Sequence, residues 1–157
     1  MNMEALKKIY IGDRCMKTIV AIGGGEIGRV KVLDDGSEIQ YPIETMAIDE
    51  EILRLSGEDT PKLLFVGTAY KEIEGYFEAV NNHFGGRLGC EVSELKLLDD
   101  QLSYEEISEK ILSSDIVYVG GGDTIFLLDV WKKKGVDKIM KQAYDNGVVL
   151  SGLSAGA

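Results

Sequence analysis

The sequence is poor in cysteine, proline and histidine, and each shortage excludes a class of protein. Its two cysteines, Cys15 and Cys90, cannot build a disulfide framework and do not form the C-x-x-C pair that would suggest zinc. A single histidine leaves no His-rich metal-binding tract. Two prolines and no Ser-rich run leave no low-complexity linker, and we find no internal repeat. We therefore predict one domain without a bound metal.

Positive charge and long apolar runs are also scarce. The chain has 17 Lys and Arg against 27 Asp and Glu, a formal net charge of −10, which argues against nucleic acid or an anionic membrane as a partner. The longest basic run, residues 132–134, is typical of a solvated helix end. No stretch approaches the roughly 18 apolar residues of a membrane span, and the first residues lack the apolar core and cleavage site of a signal peptide. We therefore expect a cytoplasmic protein.

Short β-branched segments alternate with amphipathic ones, which is typical of an α/β protein. The main strands are predicted at 17–22, 62–66, 91–97, 115–119 and 148–151, and a hairpin is predicted around the turn at 34–37. Helices are predicted at 45–55 with Thr45 as a cap, 71–84, 103–113 with a capping box, 125–134 and 137–146. Repeated strand–crossover units predict a mainly parallel sheet with helices on both faces.

Three glycine loops follow predicted strands, at the sheet edge where α/β proteins bind ligands. The first, GGGEIG at 23–28, formally matches the dinucleotide fingerprint. That fingerprint needs a helix after the loop to receive the pyrophosphate, whereas RVKVLDDG is extended, and Glu26 would repel phosphate. We therefore favour a strand end that borders the active cleft over nucleotide binding, with Gly24 and Gly25 lining the cleft.

The second loop, GGGDT at 120–124, is followed at once by a helix. Its backbone amides can bind an anion, or an oxyanion that forms during a reaction. By itself the motif fits equally well a turn that only lets the helix pack on the sheet.

The third loop is the most informative. Gly152-Leu-Ser-Ala-Gly156 fits G-x-S-x-G, the pattern of a nucleophilic serine on a sharp turn after a strand. The small glycines relieve the clash of such a turn, the Ser154 oxygen stands clear of the backbone, and the amide of Ala155 points where charge develops. The alternative is a chance match in a glycine-rich tail, and the strand-type run VVL before the motif favours the turn.

The stretch YVGGGDTIFLLDVWKKKGVDKIMKQAYDNGVVLSGLSAGA resembles the core of peptidase E, a family of aspartyl-dipeptidase-like serine peptidases related to cyanophycinase. The shared pattern is strand, GGG-[ND]-T, helix, second helix, strand and G-x-S-A-G at this spacing. The resemblance extends back through LLFVGTA and IVAIGGGEIG to about Met16. Residues 1–15 lie outside the resemblance, and we expect them to be an N-terminal extension. We expect 16–157 to form a single, incomplete α/β domain.

This resemblance implies a flavodoxin-like, class I glutamine-amidotransferase-like fold and hydrolysis of short peptides, acidic ones among them, without a cofactor. It assigns Ser154 as the nucleophile and Gly122 and Ala155 as oxyanion donors, with Gly121 next to them. Asp123 stands where many members have Asn. A buried carboxylate beside an oxyanion is unfavourable, so we expect its side chain to turn away. With Thr124 it is expected to line the cleft.

The sequence departs from the family in one respect. The family places its catalytic histidine and acidic partner after the serine, and this chain offers only His83, upstream and near a predicted helix end. We expect His83 to decorate that helix end rather than act as the base. Two hypotheses follow: a peptidase E-like hydrolase missing its C-terminal part and therefore weakly active, or a non-catalytic binding or regulatory domain that dimerises through an uncovered surface.

Overall fold

The computed structural model describes residues 16–157, so the predicted extension at 1–15 lies outside the described residues. One sheet contains β1 (Ile19–Ile22), β4 (Lys62–Val66), β5 (Glu91–Glu94), β6 (Ile116–Val119) and β7 (Val149–Leu153). Its five strands lie in the order β1-β7-β6-β4-β5, and every neighbouring pair is parallel. A separate antiparallel hairpin pairs β2 (Val30–Val32) with β3 (Glu38–Gln40). The predicted parallel sheet and hairpin are therefore confirmed.

The helices are α1 (Met46–Ser56), α2 (Glu74–Val80), α3 (Tyr104–Leu112), α4 (Thr124–Lys134) and α5 (Val136–Asp145), and α2 continues as a π-helix, Asn81–Arg87. Ser103 forms the predicted capping box with Glu106 at the start of α3. Gly135 ends α4 with φ of 70°, a left-handed conformation that glycine adopts without strain. Thr45 is the N-cap residue of α1, as predicted, but its hydroxyl donates to the buried Asp49 carboxylate and caps no amide.

Apolar side chains fill both faces of the sheet, because its central strands are buried on each side. On one face α3, α4 and α5 pack over residues such as Leu64, Val117 and Val119. On the other face α1, α2 and the π-helix pack over Phe65, Tyr118 and their neighbours. This two-sided burial explains why β4 and β6 are continuous apolar runs in the sequence rather than alternating ones. The fold is the flavodoxin-like α/β arrangement that the resemblance implied.

The strand order changes direction between β4 and β6. From β4 the chain crosses to β5 on one side, and later to β6 and β7 on the other. The loops after β4 and β6 therefore separate, and this is where open α/β sheets form a ligand crevice beyond the carboxyl ends of their strands. Within residues 16–157, every helix is too short or too polar to cross a lipid bilayer.

Candidate active site

Ser154 lies at a sharp turn directly after β7. Its φ is 55°, a left-handed conformation that is uncommon for a residue with a side chain, and the residue is exposed. A short 3-10 helix, Ser154–Gly156, follows. No hydrogen bond holds the Ser154 hydroxyl within residues 16–157, so the oxygen is open to a ligand or a base from elsewhere.

The glycines of the motif are required by close backbone approach. A Cβ on Gly152 would lie 1.8 Å from the carbonyl oxygen of Gly156, and a Cβ on Gly156 would lie 2.2 Å from the carbonyl oxygen of Val119. Both distances are far inside van der Waals contact, so no side chain fits at either position without moving the backbone. The turn predicted from G-x-S-x-G is therefore present, and its strained serine is of the kind found at functional sites.

The sheet register brings the glycine loops to the two sides of this turn. Because β7 lies between β1 and β6, Leu153 pairs with Ile22, and Gly152 pairs with Val119. The loop after β1 and the loop after β6 therefore leave the sheet beside the serine. A Cβ built on Gly121 would lie 3.3 Å from the Cβ of Ser154. The chain thus gathers at one edge the motifs that are far apart in sequence.

The amides of the second loop are almost all engaged. The N–H of Gly120 donates to Val66 at 2.9 Å, and the N–H of Asp123 donates to the carbonyl oxygen of Ala69 at 2.8 Å. Gly122 lies between them with φ of 143°, and its N–H has no acceptor in the part of the chain that the structure describes. It is the amide in this loop that remains available to an oxyanion.

Gly121 is engaged as well. Its N–H donates to the hydroxyl oxygen of Tyr76 at 2.9 Å, so it is not free to bind an oxyanion in this structure. The sequence interpretation that placed Gly121 among the oxyanion groups missed this bond. The nearby Ala155 amide, in contrast, lies in the first turn of its 3-10 helix, where backbone N–H groups have no acceptor within the helix.

Asp123 caps the helix that follows the second loop. Its carboxylate oxygen accepts a hydrogen bond from the N–H of Phe126 at 3.0 Å, which stabilises the first turn of α4. The exposed side chain is thereby directed to the first turn of α4. Thr124 begins α4 and is exposed at the same edge.

The first loop contains no phosphate-binding arrangement. Gly24 and Gly25 are exposed after β1, and the chain then enters the hairpin rather than a helix. The carboxylate of Glu26 accepts two hydrogen bonds from Arg29, at 2.9 and 3.0 Å, and hydrogen bonding to Arg29 lowers the Glu26 pKa. The helix that would receive a pyrophosphate after this loop is replaced by the β2–β3 hairpin.

The prediction that His83 decorates a helix end was wrong. The side chain is completely buried, with Nε2 at 2.7 Å from Asp49 Oδ2 and Nδ1 at 2.7 Å from a guanidinium nitrogen of Arg87. Thr45 completes this network with a hydrogen bond of 2.6 Å to the same carboxylate oxygen of Asp49. Both ring nitrogens are engaged, so His83 is in no position to take a proton from Ser154.

The sequence analysis did not predict a role for two residues of this region, Tyr76 and Asp49. Tyr76 occupies an apolar position of α2, and the helical spacing indicated only that it packs. Asp49 lies in the first turn of α1, where an acidic residue is usually exposed, yet it is fully buried. Nothing local distinguishes either residue, because their partners lie 45 and 34 positions away in the chain.

Comparison with known proteins gives a consistent result. The model of peptidase family S51 matches residues 32–157. The uncharacterized peptidase YgaJ of Bacillus subtilis (strain 168) is 34% identical over 142 residues, which cover 90% of this chain and 55% of that protein. The uncharacterized peptidase Lmo0363 of Listeria monocytogenes serovar 1/2a (strain ATCC BAA-679 / EGD-e) is 37% identical over 95 residues, which cover 59% of this chain and 45% of that protein. The chain spans about half the length of these curated relatives.

Solved structures agree with the sequence comparison. A 1.5 Å crystal structure from Listeria monocytogenes EGD-e, provisionally described as a peptidase E protein, superposes with a TM-score of 0.64 at 26% identity and covers 90% of this chain and 60% of that one. A peptidase from an acI-B1 Actinobacterium superposes with a TM-score of 0.62 at 20% identity, covers 88% of this chain and 54% of that one, and supports the fold alone. With the matched family model, the serine turn and the sheet around it, the chain belongs to peptidase family S51.

Proposed function

We propose that the protein is a serine-type peptidase that hydrolyses short peptides, with Ser154 as the nucleophile. The observation that carries this proposal is the exposed Ser154 hydroxyl, on a backbone with φ of 55° between two glycine loops. A serine oxygen held clear of the backbone can attack the peptide carbonyl carbon while a base takes its proton. The C–N bond then breaks as the base gives that proton to the leaving amine, and water hydrolyses the acyl intermediate.

The oxyanion of that reaction would be stabilised by two backbone amides, those of Gly122 and Ala155. Gly122 has no acceptor in the described chain, and the Ala155 amide lies in the first turn of its helix. Removing one such donor from a serine peptidase costs about 10²–10³ in kcat, so a pair of them supplies a large part of the rate. Gly121, whose N–H is held by Tyr76, would support the loop rather than contact substrate.

The base and its acidic partner would come from sequence that follows Ala157 in a longer form of the protein. Two facts support this: His83 is buried in its own network, and the curated relatives have about twice the length that this chain spans. We propose that the chain of 157 residues is weakly active or inactive, because an oxyanion site without a base retains only a small part of the rate.

Each of the three arginines of residues 16–157 already has a partner, so none of them is left free for an acidic substrate. An arginine that recognises an aspartyl side chain needs a free guanidinium group. Arg29 is paired with Glu26, Arg54 is paired with Glu51 on an exposed helix face, and Arg87 binds His83. We therefore propose short peptides as the substrate class. A preference for acidic peptides rests on the resemblance to peptidase E alone.

A second candidate function is a non-catalytic binding or regulatory domain that forms a dimer. One observation favours it: Ile125, at the start of α4 beside the second loop, is 82% exposed, and Leu128 on the same helix is 45% exposed. Apolar residues on a surface mark contact sites when they form a patch. Light scattering that shows a monomer at all concentrations would argue against this candidate.

The proposed peptidase is tested with protein purified from its native source and a mixture of short synthetic peptides. We expect new peptide termini for the wild type and at least a 10³-fold loss of turnover for Ser154→Ala. Ser113→Ala is the matched control, since Ser113 is exposed at the end of α3, away from the proposed site, and should leave turnover unchanged. Equal turnover by wild type and Ser154→Ala would refute the proposed nucleophile.

A further inference from the structure

The second glycine loop has little conformational preference of its own. Gly120, Gly121 and Gly122 carry no Cβ, and glycine adopts left- and right-handed conformations with similar ease. A backbone amide that stabilises an oxyanion must nevertheless be held in place before the reaction, because reorientation during the reaction costs rate. The direction of the Gly122 N–H must therefore be fixed by contacts from outside the loop.

The structure contains such contacts on both sides of Gly122. On one side the Asp123 N–H is held by the carbonyl oxygen of Ala69 at 2.8 Å. On the other side the Gly121 N–H is held by the Tyr76 hydroxyl oxygen at 2.9 Å. A Cβ on Gly122 would lie 2.2 Å from the Ala69 oxygen, which shows how closely the loop is pressed against its neighbour.

The Tyr76 ring is itself fixed by packing. It makes an edge-on contact with Phe65 at a centroid distance of 5.0 Å and another with Tyr70 at 6.2 Å. A Cβ on Gly120 would lie 2.7 Å from a ring carbon of Tyr76, so the ring also fills the space that the glycine leaves open. Because Phe65, Tyr70 and Gly120 contact the Tyr76 ring, its hydroxyl is held next to the Gly121 N–H.

The hydroxyl is neutral under ordinary conditions. Burial raises the pKa of Tyr76, and the Gly121 hydrogen bond and the Arg29 charge offset only part of that rise, while Glu26 adds to it. A neutral phenol oxygen can accept the Gly121 N–H, and it adds no negative charge beside a developing oxyanion.

We propose that Tyr76 is a positioning residue of the oxyanion site. By accepting the Gly121 N–H, it holds the backbone next to Gly122 and thereby fixes the direction of the free Gly122 N–H. This inference rests on the proposed serine peptidase function and extends it to a residue that touches neither the substrate nor the nucleophile. Ala69 contributes the matching contact on the other side of Gly122 through its backbone.

The test compares Tyr76→Phe with Tyr118→Phe. Both changes remove one hydroxyl and keep the ring, and the Tyr118 hydroxyl is buried without a hydrogen-bond partner within residues 16–157. Tyr118→Phe is therefore the control for the loss of a buried phenol oxygen outside the site. Because Phe retains the ring contacts of Tyr76, we expect both variants to fold.

The first readout needs no catalysis. In the 157-residue chain we expect the amide hydrogen of Gly121 to exchange with solvent at least about tenfold faster in Tyr76→Phe than in wild type, measured by NMR. Tyr118→Phe should leave that exchange rate unchanged. An unchanged Gly121 exchange rate in Tyr76→Phe would overturn the proposal.

The second readout uses the native-source protein that hydrolyses peptides. We expect Tyr76→Phe to lower kcat about tenfold with KM within about twofold, which is the signature of an interaction made in the transition state. If Ser154→Ala abolishes turnover while Tyr76→Phe keeps the wild-type kcat, the role of Tyr76 is refuted and the nucleophile stands. If Ser154→Ala retains turnover, the proposed function fails first and this inference fails with it.

Discussion

His83 Nε2 lies 2.7 Å from Asp49 Oδ2, and both side chains are completely buried. The contact with Arg87 decides which ring nitrogen of His83 bears the proton. An arginine guanidinium only donates hydrogen bonds, so Nδ1 of His83 must accept from Arg87, and the ring proton is on Nε2. The neutral imidazole therefore donates to the Asp49 carboxylate and joins the π-helix to α1, on the face of the sheet opposite to α4 and α5.

We predict that His83→Leu destabilises the fold by about 3–5 kcal/mol, because it leaves the buried Asp49 carboxylate without one of its donors. The other carboxylate oxygen of Asp49 is already buried without a partner within residues 16–157, so little else can compensate. The double variant Asp49→Leu/His83→Leu should recover most of the loss, since no buried charge is left unpaired and the exposed Arg87 is solvated. Urea denaturation measures both, and a cost below about 1 kcal/mol for His83→Leu would contradict the structural role given to this pair.

Ser154→Gly is expected to stabilise the protein while it abolishes hydrolysis. The left-handed backbone of Ser154, with φ of 55°, costs a residue with a Cβ roughly 1–2 kcal/mol, and glycine avoids that cost. Ser154→Ala keeps the strain and should change stability by less than about 0.5 kcal/mol. Thermal unfolding compares the two variants. Ser113→Gly, at a residue with φ of −88°, is the control and should not stabilise. Equal melting temperatures for Ser154→Gly and Ser154→Ala would show that the turn is not strained.

Gly152→Ala is expected to disrupt the serine turn. The added Cβ would lie 1.8 Å from the Gly156 oxygen, so β7 and the turn must separate, at a cost of at least about 2 kcal/mol. Gly86→Ala is the matched control, because a Cβ at Gly86 meets no atom within 4 Å and the change should stay within about 0.5 kcal/mol. Denaturant unfolding measures the free energy of unfolding of both variants. Equal values would mean that the turn tolerates a side chain at position 152.

Cys90 should react slowly with thiol reagents in the native protein. Burial raises the pKa of its thiol from 9.0 to about 11, so at pH 8 the thiolate fraction is about a hundredfold lower than in the unfolded chain. The raised pKa also has a consequence for stability. Above about pH 9 the unfolded thiol loses its proton while the folded one keeps it, so the free energy of unfolding falls as pH rises.

Both effects can be measured in a Cys15→Ser background, which leaves Cys90 as the one thiol of the chain. Modification is followed by absorbance in native buffer and in denaturant, and unfolding curves are recorded on both sides of pH 9. Equal reaction rates in the two buffers would show that Cys90 is accessible in the folded state.

Much of the fold could be predicted because its signals are local. The apolar runs at β4 and β6, the capping box at Ser103 and the glycine at 135 each depend on a few neighbouring residues. The serine turn belongs to the same class, since the clash that requires Gly152 and Gly156 arises within the motif and its adjoining strand.

The contacts that complete the site could not be predicted in the same way. Tyr76 and Gly121 are 45 positions apart, and His83 and Asp49 are 34 apart, so each pair depends on how the sheet and helices assemble. We predicted that His83 decorates a helix end, because a lone histidine at such a position is often exposed. In the structure its side chain is completely buried. The hydrogen bond from the Gly121 amide to Tyr76 could not be predicted, because a glycine motif gives no sign of the side chain that binds it.

The most direct test of Ser154 as the nucleophile is covalent trapping. Protein purified from its native source is treated with a serine-directed fluorophosphonate, which transfers its phosphonyl group to an activated serine oxygen with loss of fluoride. Mass spectrometry then locates the adduct. We predict a single phosphonyl group on the peptide that contains Ser154, and none on Ser154→Ala. Peptide hydrolysis by a protein that carries no adduct at Ser154, or an adduct on another serine that abolishes hydrolysis, would contradict the assignment.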